Sequence, residues 1–151
     1  MKILILCVGK LKEEWLKLAE QEFLKRLSLV AKIEIQELKS SKYDDQRAIK
    51  EEEEYLQKVI QDQDFVCVLE RQGKELNSQQ FAENLDKWRQ EGKRLVFIIG
   101  GAQGISEKIQ NRANFLWSFS PLTFTHQMIR ALLLEQIYRS TQIWQNTGYH
   151  K

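Results

Sequence analysis

The sequence predicts an α/β fold: a Rossmann-like, mostly parallel sheet with helices on both of its faces. Hydrophobic periodicity alternates between strand and helix along the whole chain. Three of the predicted strands are short, continuous apolar runs, as expected for strands that are buried on both faces. The chain has 151 residues, without internal repeats or low-complexity segments. This length suits one domain with its own core, so we expect a single domain over residues 1–151.

The individual elements follow from this alternation and from turn and cap residues. Strands are predicted over residues 3–8, 31–38, 65–69, 95–99 and 115–119, with the third strand broken at Gly73. Helices are predicted over residues 15–27, 48–60, 78–90, 106–113 and 125–144. Asn77 or Ser78, Ser106 and Thr125 stand where helix N-caps are expected, and Gly92 follows the third helix. In the first helix, five apolar residues recur at helical spacing: Trp15, Leu18, Ala19, Phe23 and Leu27.

Cysteine usage and hydropathy indicate a cytoplasmic protein. Cys7 and Cys67 lie inside apolar strand segments and form no metal or redox motif, which favours buried free thiols in a reducing compartment. The apolar opening run is short, has no cleavage site and passes directly into charged residues. No apolar run approaches the ~20 residues that are needed to cross a bilayer, so we expect no membrane association.

Charge is unevenly distributed although the formal net charge is only +2. Residues 41–70 carry four basic and nine acidic side chains, with residues 51–54 as the densest acidic run. We expect that run to be a solvated helix face. Residues 101–151 carry five basic and two acidic side chains, so a polyanion would meet the C-terminal third.

Three predicted strand ends are candidates for a ligand site, because ligands of parallel sheets bind outside the carboxyl ends of the strands. They are residues 69–73, 100–104 and 119–124. The second has the spacing G-G-x-x-G, which allows a tight turn with exposed N–H groups but matches neither the dinucleotide-binding nor the P-loop motif. The third alternates small polar and apolar residues around Pro121. A purely structural turn remains an alternative for both.

The last predicted helix is apolar around most of its circumference, which indicates burial on several sides and favours a symmetric partner. Within it, Glu135 and Arg139 stand four residues apart and are placed to pair. Arg130 has no acidic neighbour at helical spacing and is therefore a candidate for binding a ligand or a phosphate. The two histidines, His126 and His150, have no clustered metal ligands, and a structural role is an alternative for each.

Five segments together resemble the RlmH family, bacterial methyltransferases of the SPOUT class that modify pseudouridine at N3 in large-subunit ribosomal RNA. The segments are VGK at 8–10, IIGGAQG at 98–104, SFSPLTFTHQMIR at 118–130, EQIYR at 135–139 and YHK at 149–151. The resemblance covers the whole chain. One departure is that Thr125 replaces a proline usual before the histidine, and we expect the threonine to cap the helix in its place.

The resemblance implies a C-terminal trefoil knot, a homodimer, S-adenosylmethionine as methyl donor and no metal. It also implies that the substrate is a pseudouridine of the 23S RNA in the assembled ribosome. The implied cofactor-binding residues are Leu69, Gly100, Gly101, Phe119, Ser120, Pro121, Leu122, Thr123 and Phe124. They fall on the three strand ends named above.

Transfer to N3 is helped by a base that accepts the N3 proton or by a cation that stabilises the developing anion. The candidates for these roles are His150, Tyr149, Arg130 and His126. Arg130, Arg139 and Lys151 are candidates for contacts with the RNA. We expect residues 149–151 to complete the active site of the other subunit.

Two other functions are alternatives: a non-catalytic ribosome-associated RNA-binding module and a flavodoxin-like nucleotide-binding domain. Calorimetry with S-adenosylmethionine, flavin and nucleoside triphosphates would separate them.

Overall fold

The computed structural model describes residues 1–150 and shows five strands and five α-helices in strict alternation. The strands are β1 (Lys2–Val8), β2 (Lys32–Leu38), β3 (Phe65–Glu75), β4 (Leu95–Ile99) and β5 (Phe115–Ser118). The helices are α1 (Glu14–Leu27), α2 (Gln46–Val59), α3 (Ser78–Gln90), α4 (Glu107–Arg112) and α5 (His126–Trp144), followed by a 3-10 turn at Gly148–His150. The prediction of an α/β fold is confirmed.

The five strands form one sheet in the order β2-β1-β4-β3-β5, and every pair of neighbouring strands is parallel. Alternate residues of the central strands face two separate cores. Ile5, Cys7 and Phe97 belong to the core covered by α1, α3 and α5, whereas Leu6 and Ile98 belong to the core covered by α2 and α4. Burial on both faces explains why the central strands are continuous apolar runs.

The predicted helix caps are confirmed by their hydrogen bonds. The Asn77 side chain accepts from the N–H of Gln80, whose own side chain accepts from the N–H of Asn77, a capping box at the start of α3. Ser106 accepts from the N–H of Ile109, and Thr125 accepts from the N–H of Met128 at 3.2 Å. Thr125 therefore caps α5 as expected.

Strand β3 is longer than predicted and runs through Gly73 to Glu75. Its pairing with β5 shifts register between Leu69 and Lys74, so the strand contains an irregularity of the bulge type. A Cβ atom at Gly73 would lie 2.7 Å from the backbone of Leu116 and Trp117. Gly73 thus permits the backbones of two strands to approach closely. Because a glycine can have this role inside a strand, Gly73 does not end β3.

The predicted first helix is confirmed, whereas the expectation that the acidic run is a solvated helix face is wrong for Glu52. Trp15 and Leu18 of α1 are 56% and 66% exposed, so the regular apolar spacing there does not mark a buried stripe along the whole helix. Glu52 of α2 is buried although it lies in the acidic run expected to be solvated. The helix turns Glu52 inward because Ala48, Glu52 and Leu56 share one face, and all three are buried.

The C-terminal helix α5 packs against α1, α3 and the strands β1 and β4, and Leu133, Leu134 and Ile137 are fully buried. Other apolar residues of the helix, among them Met128, Leu132 and Ile143, are only partly buried in the single chain. Packing within one subunit therefore accounts for part of the apolar surface of α5. Cys7 and Cys67 are buried free thiols, as predicted, and burial raises the pKa of Cys7 to about 12. Across residues 1–150, no helix has the length and hydropathy of a membrane span.

Candidate active site

Three loops at the carboxyl edge of the sheet surround one cavity of about 640 Å³. They are the continuation of β3 after Leu69, the loop between β4 and α4, and the loop between β5 and α5. Eight of the nine residues expected to bind a cofactor line this cavity: Leu69, Gly100, Gly101, Phe119, Ser120, Leu122, Thr123 and Phe124. The ninth, Pro121, is exposed and is not part of the lining. The cavity has the size of a small-molecule site.

The glycine turn after β4 is tight because side chains pack against it from two directions. A Cβ atom at Gly100 would lie 2.6 Å from Cδ1 of Ile105, and one at Gly101 would lie 3.0 Å from both Oε2 of Glu52 and Cγ1 of Val8. The N–H of Gly104 donates to the carbonyl of Gly101 at 3.1 Å and closes the turn. The turn therefore presents backbone, without side chains, to the cavity at Gly100 and Gly101.

Aromatic stacking fixes the loop after β5. The ring of Phe119 stacks on Trp117 with 4.3 Å between centroids, and Trp117 stacks on Phe81 of α3 at 4.0 Å. The hydroxyl of Ser120 accepts from the N–H of Leu122 at 3.1 Å. Trp117 also lines the cavity, and its buried indole N–H has no hydrogen-bond partner among the described residues. A buried donor without a partner is costly, so a ligand atom that accepted from it would be stabilised.

His126, the first residue of α5, lies between this cavity and the loop after β1. It lines the cavity, and a Cβ atom at Gly9 would lie 3.4 Å from its Nε2 atom. The next residue, Gln127, accepts through Oε1 from the N–H of Lys12 at 2.7 Å. The N-terminus of α5 is thereby attached to the β1–α1 loop.

The expectation that Arg130 is an unpaired cation is wrong. Its side chain is only 7% exposed and its guanidinium pairs with Glu20 of α1 and with Glu37 of β2. Burial opposes the protonated form, but the hydrogen bonds to both carboxylates outweigh it and raise the pKa of Arg130. Helical spacing missed these partners because both come from other elements. Arg130 does not line the cavity.

The predicted pair of Arg139 and Glu135 is confirmed, with 2.6 Å between Nη2 and Oε1. The Arg139 guanidinium also lies over the ring of Tyr149, at 4.8 Å from the centroid, and the Tyr149 hydroxyl lies 3.2 Å from the same Glu135 oxygen. Burial, followed by the Glu135 charge, raises the pKa of the Tyr149 hydroxyl. Tyr149 and the exposed His150 are not among the residues that line the cavity of their own chain. Lys151 lies outside the described residues.

A second cavity, of about 310 Å³, adjoins the first and was not foreseen from the sequence. Five residues line both cavities: Gly101, Ala102, Gln103, His126 and Gln127. Glu52 lies in its wall, with one carboxylate oxygen lacking a partner among the described residues. The four-residue spacing of Ala48, Glu52 and Leu56 was the signal that Glu52 faces inward.

Within residues 1–150, no group of three or more metal-ligating side chains is present.

An all-parallel α/β sheet with a glycine turn and two further loops around one cavity defines an α/β protein with a small-molecule site at the carboxyl edge of its sheet. The family model described as "Predicted SPOUT methyltransferase" matches residues 1–150, and the chain belongs to this family.

Proteins named "Ribosomal RNA large subunit methyltransferase H" match the whole chain. The relative from Caldicellulosiruptor saccharolyticus is 42% identical and the alignment covers 99% of both chains. Those from Clostridium botulinum strain Kyoto and Streptococcus gordonii are 40% and 41% identical, with full coverage of both chains. The resemblance to the RlmH family is thus confirmed.

Proposed function

We propose that this protein transfers a methyl group from S-adenosylmethionine to N3 of a pseudouridine in 23S ribosomal RNA of the assembled ribosome. The observation that carries the proposal is the convergence of eight expected cofactor-binding residues on one cavity of about 640 Å³. Membership of the SPOUT family and full-length similarity to large-subunit ribosomal RNA methyltransferases support it. Such a protein works where ribosomes are, in the cytoplasm.

The residues around the cavity fit this cofactor. Gly100 and Gly101 put backbone at the cavity, and the rings of Phe119 and Phe124 with Leu69 and Leu122 supply an apolar surface for an adenosine. The unpaired indole N–H of Trp117 is a donor for one of its polar atoms. When bound, S-adenosylmethionine supplies a methyl carbon on a sulfonium, which is already a good leaving group, so the proposed reaction requires no metal.

The protein has to align the methyl carbon with N3 and to accept a proton. Methyl transfer breaks the S–C bond, forms the N3–C bond and releases the N3 proton, so a base near the cavity speeds the reaction. His126 borders the cavity and is the candidate base within the same chain. His150 and Tyr149 are candidates from the other subunit. Arg130 positions the start of α5 through its two carboxylate partners, and we assign it no direct contact with the substrate.

The tail acts in trans in this proposal. His126 is the first residue of α5 and Tyr149 lies beyond its other end, and the 19 residues of the helix span about 28 Å at 1.5 Å per residue. The tail also packs on Tyr138 and Arg139 of that far end. A two-fold dimer brings the tail of one subunit to the cavity of the other. Exposed Trp15 and Leu18 of α1, which packs on α5, offer apolar surface to a second copy.

We further propose that the C-terminal part of the chain is threaded into a trefoil knot, a rare exception among folds. Family membership supports it, as does the close association of the β4–α4 and β5–α5 loops around one cavity.

Deletion of residues 149–151 tests the proposed function. The truncated protein should lose methyl transfer while its affinity for S-adenosylmethionine stays within about twofold, because no cavity-lining residue is removed. The assay is methyl transfer to ribosomes from a strain that lacks the gene, with the modified base mapped by mass spectrometry, and cofactor binding is measured by calorimetry.

Two outcomes contradict the proposal. Full activity of the truncated protein overturns the role of the tail. Absence of S-adenosylmethionine binding to the intact protein overturns the enzymatic function and favours a non-catalytic ribosome-associated module, which the C-terminal excess of basic residues would also suit.

A further inference from the structure

The lining of the second cavity combines backbone groups, positively charged side chains and hydrogen-bonding side chains, and these together suit a nucleotide. The cavity lies between the loop after β1 and the loop after β2 and is lined by the backbone of Gly9, by Lys10 and Lys12, and by Ser40, Ser41, Tyr43, Asp44 and Glu52. Lys10 and Lys12 are exposed, and neither forms an ion pair within residues 1–150. Free ammonium groups at the mouth of a cavity are suited to phosphates.

Glu52 is the unusual group in this cavity. The residue is only 7% exposed, and its Oε1 atom accepts a single hydrogen bond, from the N–H of Ser41 at 3.3 Å. Its Oε2 atom is buried and has no partner in the described part of the chain. A buried oxygen without a donor is costly, which means that a ligand able to donate a hydrogen bond gains from meeting it.

Among the described residues, the groups that shift the pKa of Glu52 include no cation. Burial raises the pKa of its carboxyl, the Ser41 N–H opposes this rise, and the neighbouring charge of Glu51 adds to it. Gly101 lies directly beside it, since a Cβ atom there would be 3.0 Å from Oε2. Gly101 is also part of the wall that this cavity shares with the cavity expected to bind the cofactor. The free carboxylate oxygen therefore stands next to the methyl-donor site.

We propose that the second cavity receives the target nucleotide and that Oε2 of Glu52 accepts a hydrogen bond from an N–H of its base. This inference rests on the proposed function and assigns it a residue that determines specificity. In pseudouridine the sugar is attached to C5, so both N1–H and N3–H are free. In uridine the sugar is attached to N1, and a C–H that cannot donate takes the place of N1–H. Glu52 binds N1–H, and N3 points toward the methyl-donor site where the two cavities adjoin.

The consequence is discrimination between two isomeric nucleosides. Both have the same size and the same ring, so shape alone separates them poorly, whereas a buried acceptor rejects a ligand that lacks the donor. Lys10 and Lys12 contact the neighbouring phosphates, which are the same for both nucleosides. Substitution of Glu52 should change the preference between the two nucleosides, whereas substitution of either lysine should weaken binding to both substrates alike.

Glu52→Gln is the variant that tests this role. The amide keeps the shape of the side chain and an oxygen for the Ser41 N–H, but it places an NH₂ donor where Oε2 stands. We measure kcat/KM on ribosomes that carry pseudouridine at the target position and on ribosomes that carry uridine there. The intact protein should favour pseudouridine roughly tenfold or more, and the variant should lose most of this preference through slower reaction with pseudouridine.

Two control variants accompany it. Glu54→Gln removes an exposed carboxylate from the same helix and should keep the preference. Lys12→Ala should weaken binding to both kinds of ribosome by a similar factor. The affinity for S-adenosylmethionine and the unfolding midpoint of Glu52→Gln should match those of the intact protein, because the Ser41 bond is retained.

The outcomes separate this inference from the proposed function. A failure of the intact protein to methylate either substrate contradicts the proposed function itself. Equal rates on both substrates, or an unchanged preference in Glu52→Gln, overturn the role of Glu52 while leaving the methyltransferase intact. Should Glu52→Gln fold poorly, Glu52→Leu, which removes the acceptor altogether, gives the same test.

Discussion

Arg130 of α5 donates from Nη1 to Oε1 of Glu37 at the end of β2, at 2.7 Å, across 93 positions of sequence. The same Glu37 oxygen accepts from the N–H of Leu11 at 3.0 Å, and Arg130 also pairs with Glu20. Arg130 thus joins the first turns of α5 to β2, to α1 and to the β1–α1 loop. That loop lines the second cavity and His126 lines both, so this network of ion pairs fixes the relative positions of the elements around the site.

Replacing Arg130 should destabilise the fold and disturb the site. In Arg130→Met, Glu20 and Glu37 lose their shared partner, and we expect a loss of about 3 kcal/mol of unfolding free energy. Urea denaturation measures it, and methyl transfer should fall further than the folded fraction does. Lys17→Met, which breaks an exposed pair on the same helix α1, should change little. Equal stability of Arg130→Met and the intact protein would refute the structural role.

The ion pair of Asp64 and Arg94 makes stability depend on pH. Burial acts to raise the pKa of Asp64, but Arg94 at 2.6 Å and the N–H of Gln61 outweigh it and hold the pKa below the usual value. Because the folded state favours the charged carboxylate of Asp64, the ion pair contributes to the unfolding free energy. This contribution is complete above the ordinary aspartate pKa of about 4 and is lost as pH falls through the lower pKa that Asp64 has in the folded state.

Asp64→Asn should therefore lower the unfolding free energy by about 2 kcal/mol at neutral pH, since Arg94 remains partly exposed. The difference from the intact protein should shrink below about pH 4, where the unfolded carboxyl is protonated. Urea titrations over a pH series measure it. Glu91→Gln, which removes an exposed pair with Lys93, is the control. A difference that is constant down to low pH would contradict the assignment.

Gly73 should not tolerate a side chain. In Gly73→Ala the new Cβ atom would lie 2.7 Å from the backbone of β5, which cannot rotate away as a side chain can. We expect a loss of about 2 kcal/mol from this overpacking, together with weaker S-adenosylmethionine binding because Trp117 shifts. Thermal unfolding and calorimetry measure the two effects. Gly148→Ala, with nothing within 4 Å of the new atom, should be neutral, and an equally neutral Gly73→Ala would disprove the close approach.

Mixed dimers distinguish a tail that acts in trans from one that acts in its own subunit. One partner lacks residues 149–151, and the other carries Gly101→Phe, whose side chain cannot fit against Val8 and Glu52 and therefore distorts the glycine turn at the first cavity. Neither variant should be active alone. The mixed dimer should recover about half of the intact activity, because one intact cavity meets one intact tail. If each tail served its own subunit, the mixed dimer would be inactive.

The candidate site was predictable where the chemistry is local. Glycines directly after a buried strand predict a tight turn, and Gly100 and Gly101 form one. Thr125 was expected to cap α5, and its hydroxyl accepts from the N–H of Met128. The partners of Arg130 were not predictable, because Glu20 and Glu37 are distant in sequence and meet it only when α5 packs beside α1 and β2.

Local sequence pattern was enough to predict the alternation of five strands and five helices, three of the N-caps and the loops that surround the first cavity, because periodicity and turn chemistry act over a few residues. Which charges are paired became known only from the packing of the whole chain. This packing pairs Arg130, turns Glu52 inward beside Gly101, and leaves Lys10 and Lys12 without an ion pair among residues 1–150. Burial and ion pairing depend on elements that come from distant parts of the chain, and local pattern does not contain that information.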